Sequence, residues 1–259
     1  MLTENKVAIV SGAGDGLGRA ICLALAANGA SIVVGDLSAD AVSATVAAVE
    51  AAGGRAVGLT TDITDAGQCA ALVALAVDTY GSLDILVNDA YHGGDFQAFE
   101  NADLADWRQT AEVNIWGTLG LTQAALPHLK SSGEGRIVMI CTHGVDFIQP
   151  TFGAYTGSKA SIAHLTKILA AELGQYGIRV NAVYPGPIFG PALQGYLASI
   201  AESTGTPIDE VHREWGAKNS LRYLVPPEEI AGSVVFLASD LARPVTGQAL
   251  YVNAGESFH

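Results

Sequence analysis

The feature that most constrains the fold is a regular alternation of short apolar runs with longer, alanine-rich segments. Each run is apolar at successive positions, which is typical of parallel strands covered by helices on both faces. The predicted strands are 6–10, 31–36, 55–62, 83–89, 135–141, 178–185 and 247–253. The predicted helices are 17–29, 38–54, 66–80, 103–130, 155–175 and 227–239. This order predicts an α/β fold with a doubly wound, mostly seven-stranded parallel sheet.

The chain has 259 residues, enough for one substantial core, and no repeat or linker divides it. We therefore expect a single domain over residues 1–259. The formal net charge is −13, from 13 basic and 26 acidic residues. A nucleic-acid partner needs a basic face for phosphates, so we expect none. The same charge gives no attraction to an anionic membrane surface.

Three cysteines, Cys22, Cys69 and Cys141, are far apart in apolar surroundings and have no zinc-type spacing. We expect buried free thiols, which suit a reducing compartment. The N-terminus has no basic and apolar leader, and no apolar run approaches the roughly 20 residues that span a bilayer. These features predict a cytoplasmic protein without a membrane partner.

One stretch interrupts the alternation. Between Pro185 and Pro227 no strand is predicted, and a short helix is expected near 192–203. A long excursion after the carboxyl end of a strand is typical of a segment that covers a ligand site. We therefore expect a substrate-binding lid at about 186–226.

A glycine-rich turn, VSGAGDGLGRA at 10–20, joins the first predicted strand to the first predicted helix. Gly12, Gly16 and Gly18 would let the backbone turn sharply and approach a pyrophosphate at the helix N-terminus. The strict GxGxxG spacing is absent, because Leu17 occupies the third glycine position. A dinucleotide site is the favoured interpretation, and a plain turn is the alternative.

Three carboxylates bear on the choice of dinucleotide. Asp36 ends the second predicted strand, where it can bind the adenosine ribose and would repel the extra phosphate of NADP. Position 15 in the glycine turn is also acidic, Asp15, and residues 10–18 contain no Lys or Arg. The cofactor is therefore predicted to be NAD. As an alternative, Asp36 could cap the next helix, although Ser38 is also available as a cap. Asp62 ends the third predicted strand and could either contact adenine or form a turn.

Five short pieces of the chain, in this order, are similar to those of the classical short-chain dehydrogenase/reductase family. They are SGAGDGLG at 11–18, NDAY at 88–91, VNIWG at 113–117, YTGSK at 155–159 and YPGPI at 184–188. The resemblance covers essentially the whole chain. It implies a Rossmann fold, a dinucleotide cofactor and a homotetramer assembled through the active-site helix and the C-terminal strand region.

Tyr155 and Lys159 lie one helical turn apart. A phenol has an ordinary pKa of about 10, too high for an efficient base near neutral pH. A nearby ammonium, and the charge of an oxidised nicotinamide, stabilise the phenolate. Tyr155 can then exchange a proton with the substrate oxygen, and the resemblance implies that Lys159 also holds the nicotinamide ribose. Two ordinary surface residues are the alternative.

The resemblance implies two further catalytic residues. Thr142, thirteen positions before Tyr155, stands where the family has a serine that binds the substrate oxygen. Thr keeps the hydroxyl but adds a methyl group that stiffens the side chain. Asn114 matches an asparagine that organises a water chain from Lys159 to solvent; a buried hydrogen bond between helices is the alternative.

The resemblance also implies the remaining cofactor contacts. They are Leu17, Leu37, Ile63, Asn88, Ala90, Pro185, Gly186 and Ile188. Three positions depart from the family pattern: Asp89 replaces an asparagine, Tyr91 a glycine, and Gly190 a threonine that touches the cofactor phosphates. Tyr91 adds bulk and, with His92, could reach the cleft.

These residues predict an NAD-dependent oxidoreductase that interconverts a secondary alcohol and its ketone without a metal. Five aromatic side chains and one leucine in and near the lid suggest a partly apolar, cyclic or aromatic substrate. They are Phe147, Phe152, Phe189, Leu193, Tyr196 and Trp215. Reduction of a 3-oxoacyl thioester and NAD binding without turnover, as in a sensor or scaffold, are the alternatives.

Overall fold

The computed structural model describes residues 1–258, and its centre is a sheet of seven parallel strands in the order β3-β2-β1-β4-β5-β6-β7. The strands are β1 (Val7–Ser11), β2 (Ser31–Asp36), β3 (Arg55–Thr60), β4 (Ile85–Asn88), β5 (Arg136–Ile140), β6 (Arg179–Pro185) and β7 (Ala249–Val252). The predicted Rossmann architecture is confirmed. β1, β4 and β5 are buried at every position, which explains their continuous apolar sequences.

Helices cover both faces of the sheet. They are α1 (Leu17–Ala27), α2 (Ala39–Ala51), α3 (Ala66–Tyr80), α4 (Leu104–Ala111), α5 (Thr118–Ser131), α6 (Gly153–Leu173), α7 (Pro191–Thr204), α8 (Ile208–Gly216) and α9 (Pro227–Ala238). Apolar residues of α1, α2 and α9 pack on one face, and those of α3, α5 and α6 pack on the other. Cys22, Cys69 and Cys141 are buried and free, as expected.

Local capping chemistry sets several helix bounds. Asp65 accepts a hydrogen bond from the backbone N–H of Gln68 at 3.0 Å and begins α3. Gly81, in the left-handed conformation at φ 84°, ends it. The observed helix therefore has the predicted limits, 66–80. Ser38 caps α2 by accepting from the N–H of Ala41.

The helix predicted over 103–130 is wrong as a single element. It divides into α4, a wider helical turn of the π type at Glu112–Gly117, and α5. The wider turn inserts an extra residue without a break in composition, so the apolar pattern does not report it. Such turns are frequent at functional sites, and this one contains Asn114.

Residues 186–226 hold two helices, α7 and α8, and no strand. α7 agrees with the short helix predicted near 192–203, and Gly205 ends it at φ 69°. α8 was not predicted. No helix in the described part of the chain is both long and apolar enough to cross a membrane.

Candidate active site

β1 and β4 are neighbours in the sheet, with Ser11 paired to Asn88, and the strand order reverses between them. Open α/β sheets bind ligands at this point, beyond the carboxyl ends of the strands. Gly12 follows β1 at φ 71°, and a Cβ atom there would overlap the backbone nitrogen of Ala90. Only glycine therefore allows the turn after β1 to contact the segment after β4.

The glycine turn leads directly into α1. Gly16 precedes the helix at φ 106°, and a Cβ atom on Gly18 would overlap the carbonyl oxygen of Gly12. Arg19 N–H donates to Gly14 and Ala20 N–H to Gly16. The preceding N–H groups, at Leu17 and Gly18, have no acceptor within residues 1–258 and can bind an anionic ligand at the positive end of the helix.

Asp36 lies beside this turn at the end of β2. Its Oδ1 accepts from the N–H of Ser38 at 2.9 Å. A Cβ atom on Gly14 would be 3.0 Å from Asp36 Oδ2, so the carboxylate lies against the turn. Asp15 pairs with Arg19 at 3.1 Å, so the arginine that follows the turn already has a carboxylate partner.

Leu37, Asp62 and Ile63 are the next predicted cofactor contacts along the chain, and their surroundings differ. Leu37 follows Asp36 and is 72% exposed, whereas Ile63 is buried against the backbone of Gly117. Asp62 Oδ1 accepts from both the N–H and the hydroxyl of Thr64, at 2.9 and 2.7 Å. The turn-forming alternative is therefore present at Asp62, and its contact with adenine stays a prediction.

Thr142, Tyr155 and Lys159 come together beyond the end of β5. Tyr155 lies in the first turn of α6, and its hydroxyl group is close enough to that of Thr142 to influence its acidity. Lys159 is buried, and its Nζ lies 6.0 Å from the centroid of the Tyr155 ring. Thr142 Oγ1 also accepts from the N–H of Gly144 at 3.1 Å. The sequence-predicted trio is thus assembled.

Burial is the main cause of the pKa shifts of Tyr155 and Lys159. Burial raises the pKa of Tyr155, the phenol of Tyr91 adds to the rise, and the hydroxyl of Thr142 opposes it. Burial also lowers the pKa of Lys159. Burial favours the neutral phenol of Tyr155, the form that can donate a proton. Stabilisation of its phenolate by Lys159 and an oxidised nicotinamide stays a prediction.

Asn114 fixes the segment after β4 to α6. Its Oδ1 accepts from the N–H of His92 at 2.7 Å, and its Nδ2 donates to the carbonyl of His92 at 3.0 Å. Nδ2 also donates to Ser158 Oγ at 2.9 Å, which is the helix-to-helix hydrogen bond considered as the alternative. A water chain through Asn114 stays a prediction. Ser158 was missed, although it adjoins Lys159 in the motif.

The two histidines near the cleft point away from the reacting group. His92 Nε2 lies 3.1 Å from Asp106 Oδ1. His143 is buried, and its Nε2 lies 3.4 Å from Glu256 Oε2 in the C-terminal segment. Sequence spacing gave no signal for Glu256, 113 positions later.

Asp89 and Asn88 occupy the buried end of the β4 segment. Asn88 Nδ2 donates to Thr122 Oγ1 at 3.1 Å, while its buried Oδ1 has no partner in residues 1–258. Asp89 is 8% exposed, and no described residue forms a hydrogen bond or ion pair with its carboxylate. Burial raises the pKa of Asp89 to about 7, which Lys159 opposes and Asp36 reinforces.

The segment after β6 connects the sheet to the lid. Gly186 N–H donates to Val252 O at 3.2 Å, and Phe189 N–H donates to Val225 O at 2.9 Å. Gly190 precedes α7, and Pro191 lies 3.9 Å from a Cβ position built on Gly16. The first helix of the lid therefore begins beside the glycine turn.

Some of the rings expected to line the cleft pack within the lid. Phe189 contacts His212 edge-on at 5.0 Å between ring centroids, and Tyr196 contacts Trp215 at 5.8 Å. Phe152 instead contacts Phe96 at 4.3 Å beside Tyr155. Phe96 was missed because it lies in an irregular segment with no periodic pattern.

Comparison with known proteins decides the family. A family model described as Enoyl-(Acyl carrier protein) reductase matches residues 12–257. The chain belongs to the short-chain dehydrogenase/reductase family. It is an oxidoreductase of this family, whose members use nicotinamide cofactors. The resemblance read from the five motifs is confirmed.

Several members of the short-chain dehydrogenase/reductase family are similar over nearly the whole chain. The 7alpha-hydroxysteroid dehydrogenase of Escherichia coli K12 is 34% identical over 97% of this chain and 94% of its own. Cis-4-hydroxycyclohexanecarboxylate dehydrogenase of Sinomonas cyclohexanicum is 35% identical over 97% and 96%. A solved 7alpha-hydroxysteroid dehydrogenase complexed with NADH and 7-oxo glycochenodeoxycholic acid has a TM-score of 0.87 at 35% identity, covering 98% of this chain and 95% of that one.

The site fits a nicotinamide dinucleotide on steric and polar grounds. Side chains at Gly12 and Gly18 would overlap backbone, so the turn stays open to a ligand that approaches closely. The start of α1 offers N–H groups to phosphate oxygens. Asp36 lies against the glycine turn, where its carboxylate can accept from hydroxyl groups of the ligand.

Proposed function

We propose that the protein is an NAD-dependent dehydrogenase that interconverts a cyclic, partly apolar secondary alcohol and its ketone. The observation that carries the proposal is the grouping of the Thr142 and Tyr155 hydroxyl groups with buried Lys159, whose Nζ lies 6.0 Å from the Tyr155 ring centroid, at the ligand-binding end of the sheet. This arrangement can hold a substrate oxygen between two hydroxyl groups. The bound dinucleotide supplies hydride transfer to or from the carbon that bears that oxygen.

The protein's own residues would handle the oxygen and its proton. Thr142 and Tyr155 bind the oxygen from two sides and orient the carbon. As a neutral phenol, Tyr155 gives its proton to the ketone oxygen in reduction. In oxidation it takes the alcohol proton, and the ammonium of Lys159 stabilises the phenolate that starts this step. Asn114 holds α6 next to the segment after β4 through its hydrogen bonds with Ser158 and His92.

Two carboxylates support NAD over NADP. Asp36 lies against the glycine turn, where it can accept hydrogen bonds from ribose hydroxyls and would repel a phosphate. Asp15 engages Arg19 at 3.1 Å, so that cation is not free for a phosphate. Contacts of Leu17, Asp62, Ile63, Asn88 and Ile188 with the cofactor belong to this proposal.

The names of the relatives support a cyclic substrate. One is a hydroxysteroid dehydrogenase and another a hydroxycyclohexanecarboxylate dehydrogenase, and both names denote a hydroxyl group on an alicyclic ring. Reduction of a 3-oxoacyl thioester is the second candidate, and the description of the matching family also denotes an acyl thioester substrate, although it names an enoyl reductase. Asp15 and Asp36 weigh against it, because that chemistry usually draws on NADPH. A sensor or scaffold is disfavoured because Asn114, Tyr155 and Lys159 are all retained.

We further propose that residues 186–226 act as the substrate lid of a single-domain chain 1–259 and that four chains assemble. Trp116 and Ile168 are 60% and 42% exposed, on the π-type turn before α5 and on α6, which supports assembly through these helices. Light scattering should then give the mass of four chains. A cytoplasmic location stays a prediction.

A panel of alcohols tests the activity. Purified protein is assayed with NAD and NADP in parallel against alicyclic and aromatic secondary alcohols, small charged hydroxy acids and 3-hydroxyacyl thioesters. We expect turnover of the cyclic alcohols with NAD. Good turnover of hydroxy acids alone, or of thioesters with NADP alone, would contradict the proposal, and NADH binding without any turnover would favour a sensor.

A further inference from the structure

Tyr91 lies beside the reacting phenol, at a position where the family pattern has glycine. Its ring centroid is 6.0 Å from that of Tyr155, edge-on at 63°. Lys159 Nζ is 5.7 Å from the Tyr91 centroid and 6.0 Å from the Tyr155 centroid. One buried ammonium thus lies near both rings, within the range of a cation–π interaction.

The backbone on both sides of Tyr91 is fixed. Asp89 N–H donates to Ser11 O at 3.1 Å, so the segment continues the β1–β4 pairing. Both backbone groups of His92 are bonded to Asn114, at 2.7 and 3.0 Å. The Tyr91 ring is therefore held on a rigid support next to Tyr155, as positions that contact a substrate require.

Tyr91 is part of a larger apolar surface. A Cβ atom on Gly93 would lie 3.9 Å from the Tyr91 ring and 3.7 Å from that of Phe96. Phe96 in turn contacts Phe152, with centroids 4.3 Å apart, just before α6. We call Tyr91, Phe96 and Phe152 the aromatic wall.

The aromatic wall leaves much of its apolar area in water. Tyr91 is 60% exposed and Phe96 49%, although aromatic rings gain most by burial. Adjacent exposed rings beside a reacting group are typical of a surface completed by a ligand. The ligand that reaches Tyr155 is the substrate, so we expect the apolar part of the substrate to pack on the aromatic wall.

We propose that Tyr91 is a specificity-determining residue that contacts the ring bearing the reacting hydroxyl and favours a single alicyclic ring over fused rings. The inference rests on the proposed function of this same site. The basis we infer is steric, because the Tyr91 ring lies 6.0 Å from that of Tyr155 and leaves less room on that side for a substrate broader than one ring. A glycine at position 91 would leave that side open.

Three variants test this role. Tyr91→Ala removes the ring, Tyr91→Phe removes only the hydroxyl, and Tyr176→Ala removes an exposed ring beyond the opposite end of α6. The measurement is the ratio of kcat/KM for cyclohexanol to kcat/KM for decahydro-2-naphthol with NAD. We expect Tyr91→Ala to lower this ratio about tenfold or more, the scale of an apolar pocket contact. Tyr91→Phe and Tyr176→Ala should leave the ratio unchanged.

A binding measurement separates this inference from the proposed function. Dissociation constants of cyclohexanol and decahydro-2-naphthol for the enzyme–NADH complex give the same ratio without turnover, because NADH cannot accept a hydride from the alcohol. An unchanged ratio in Tyr91→Ala, in both assays, would overturn the role of Tyr91. A changed binding ratio in a protein that turns over neither alcohol would keep the role of Tyr91 and remove the proposed dehydrogenase activity.

Discussion

The ammonium of Lys159 donates a hydrogen bond to the backbone carbonyl of Ile140, with Nζ 2.7 Å from the oxygen. Ile140 is the last residue of β5, so the sheet itself fixes the position of this cation. Lys159 is only 4% exposed, and burial lowers its pKa. The charge beside Tyr155 is therefore held by the backbone and does not depend on a second side chain for its placement.

Replacing Lys159 with Met should lower kcat/KM by about 10²-fold or more, because the phenolate loses its nearest cation. The optimum for alcohol oxidation should also move to higher pH, since Tyr155 then gives up its proton less readily. The measurement is the pH profile of kcat/KM. Lys167→Met, an exposed position on the same helix, is the control. An unshifted profile in Lys159→Met would exclude this role.

Thr142 should act through its hydroxyl group and not through its shape. Thr142→Val keeps the branched side chain but removes the hydroxyl, and we expect kcat to fall by about 10²-fold. Thr142→Ser keeps the hydroxyl and should retain most activity. Steady-state kinetics on one alicyclic alcohol give the comparison. Near-normal turnover in Thr142→Val would rule out the assigned role.

The preference for NAD over NADP should depend on the charge of the side chains at the end of β2, at positions 36 and 37. Asp36→Ala combined with Leu37→Arg removes a repulsive carboxylate and adds a guanidinium that can bind phosphate. We expect the ratio of kcat/KM for NADP to that for NAD to rise by about 10²-fold or more. Asp40→Ala, an exposed carboxylate in the first turn of α2, should change nothing. If Asp36→Ala alone leaves the KM for NAD unaltered, Asp36 does not bind the ribose.

Asp89 should make the fold less stable as pH rises. Its pKa is raised to about 7 in the folded protein, so between pH 5 and about pH 7 the folded state binds more protons than the unfolded state. The contribution of Asp89 to stability is then greatest below about pH 4 and declines as pH rises to about 7. Asp89→Asn removes the decline. From pH 5 to pH 8, its free energy of unfolding should gain about 2–3 kcal/mol relative to wild type.

Urea unfolding at the two pH values measures this difference. Asp78→Asn, an exposed carboxylate on α3, serves as the control and should track the wild-type protein. Equal pH dependence in Asp89→Asn and wild type would mean that Asp89 is solvated or paired in solution.

The parts of the site that follow from local chemistry could be predicted from the sequence. Gly12 and Gly18 are required where backbone atoms nearly touch, and β2 has the predicted limits, 31–36. α8 was missed although Pro207 precedes it and Asp209 and Glu210 occupy its first turn, a recognisable start signal.

Other features depend on packing between distant segments. The π-type turn at Glu112–Gly117 and the contact of His143 with Glu256 leave no mark in local composition. The rise in the Tyr155 pKa comes from burial by elements far apart in the chain. Residue spacing therefore predicted that Tyr155 and Lys159 lie close together, but not that burial raises the pKa of the phenol.

The proposed reaction depends most on the phenol of Tyr155. The decisive measurement is the single-turnover rate of NADH formation on one cyclic alcohol by wild type and Tyr155→Phe, with NADH affinity measured in both. We predict a fall of about 10²–10⁴-fold in rate with NADH binding unchanged. An undiminished rate in Tyr155→Phe would contradict the account.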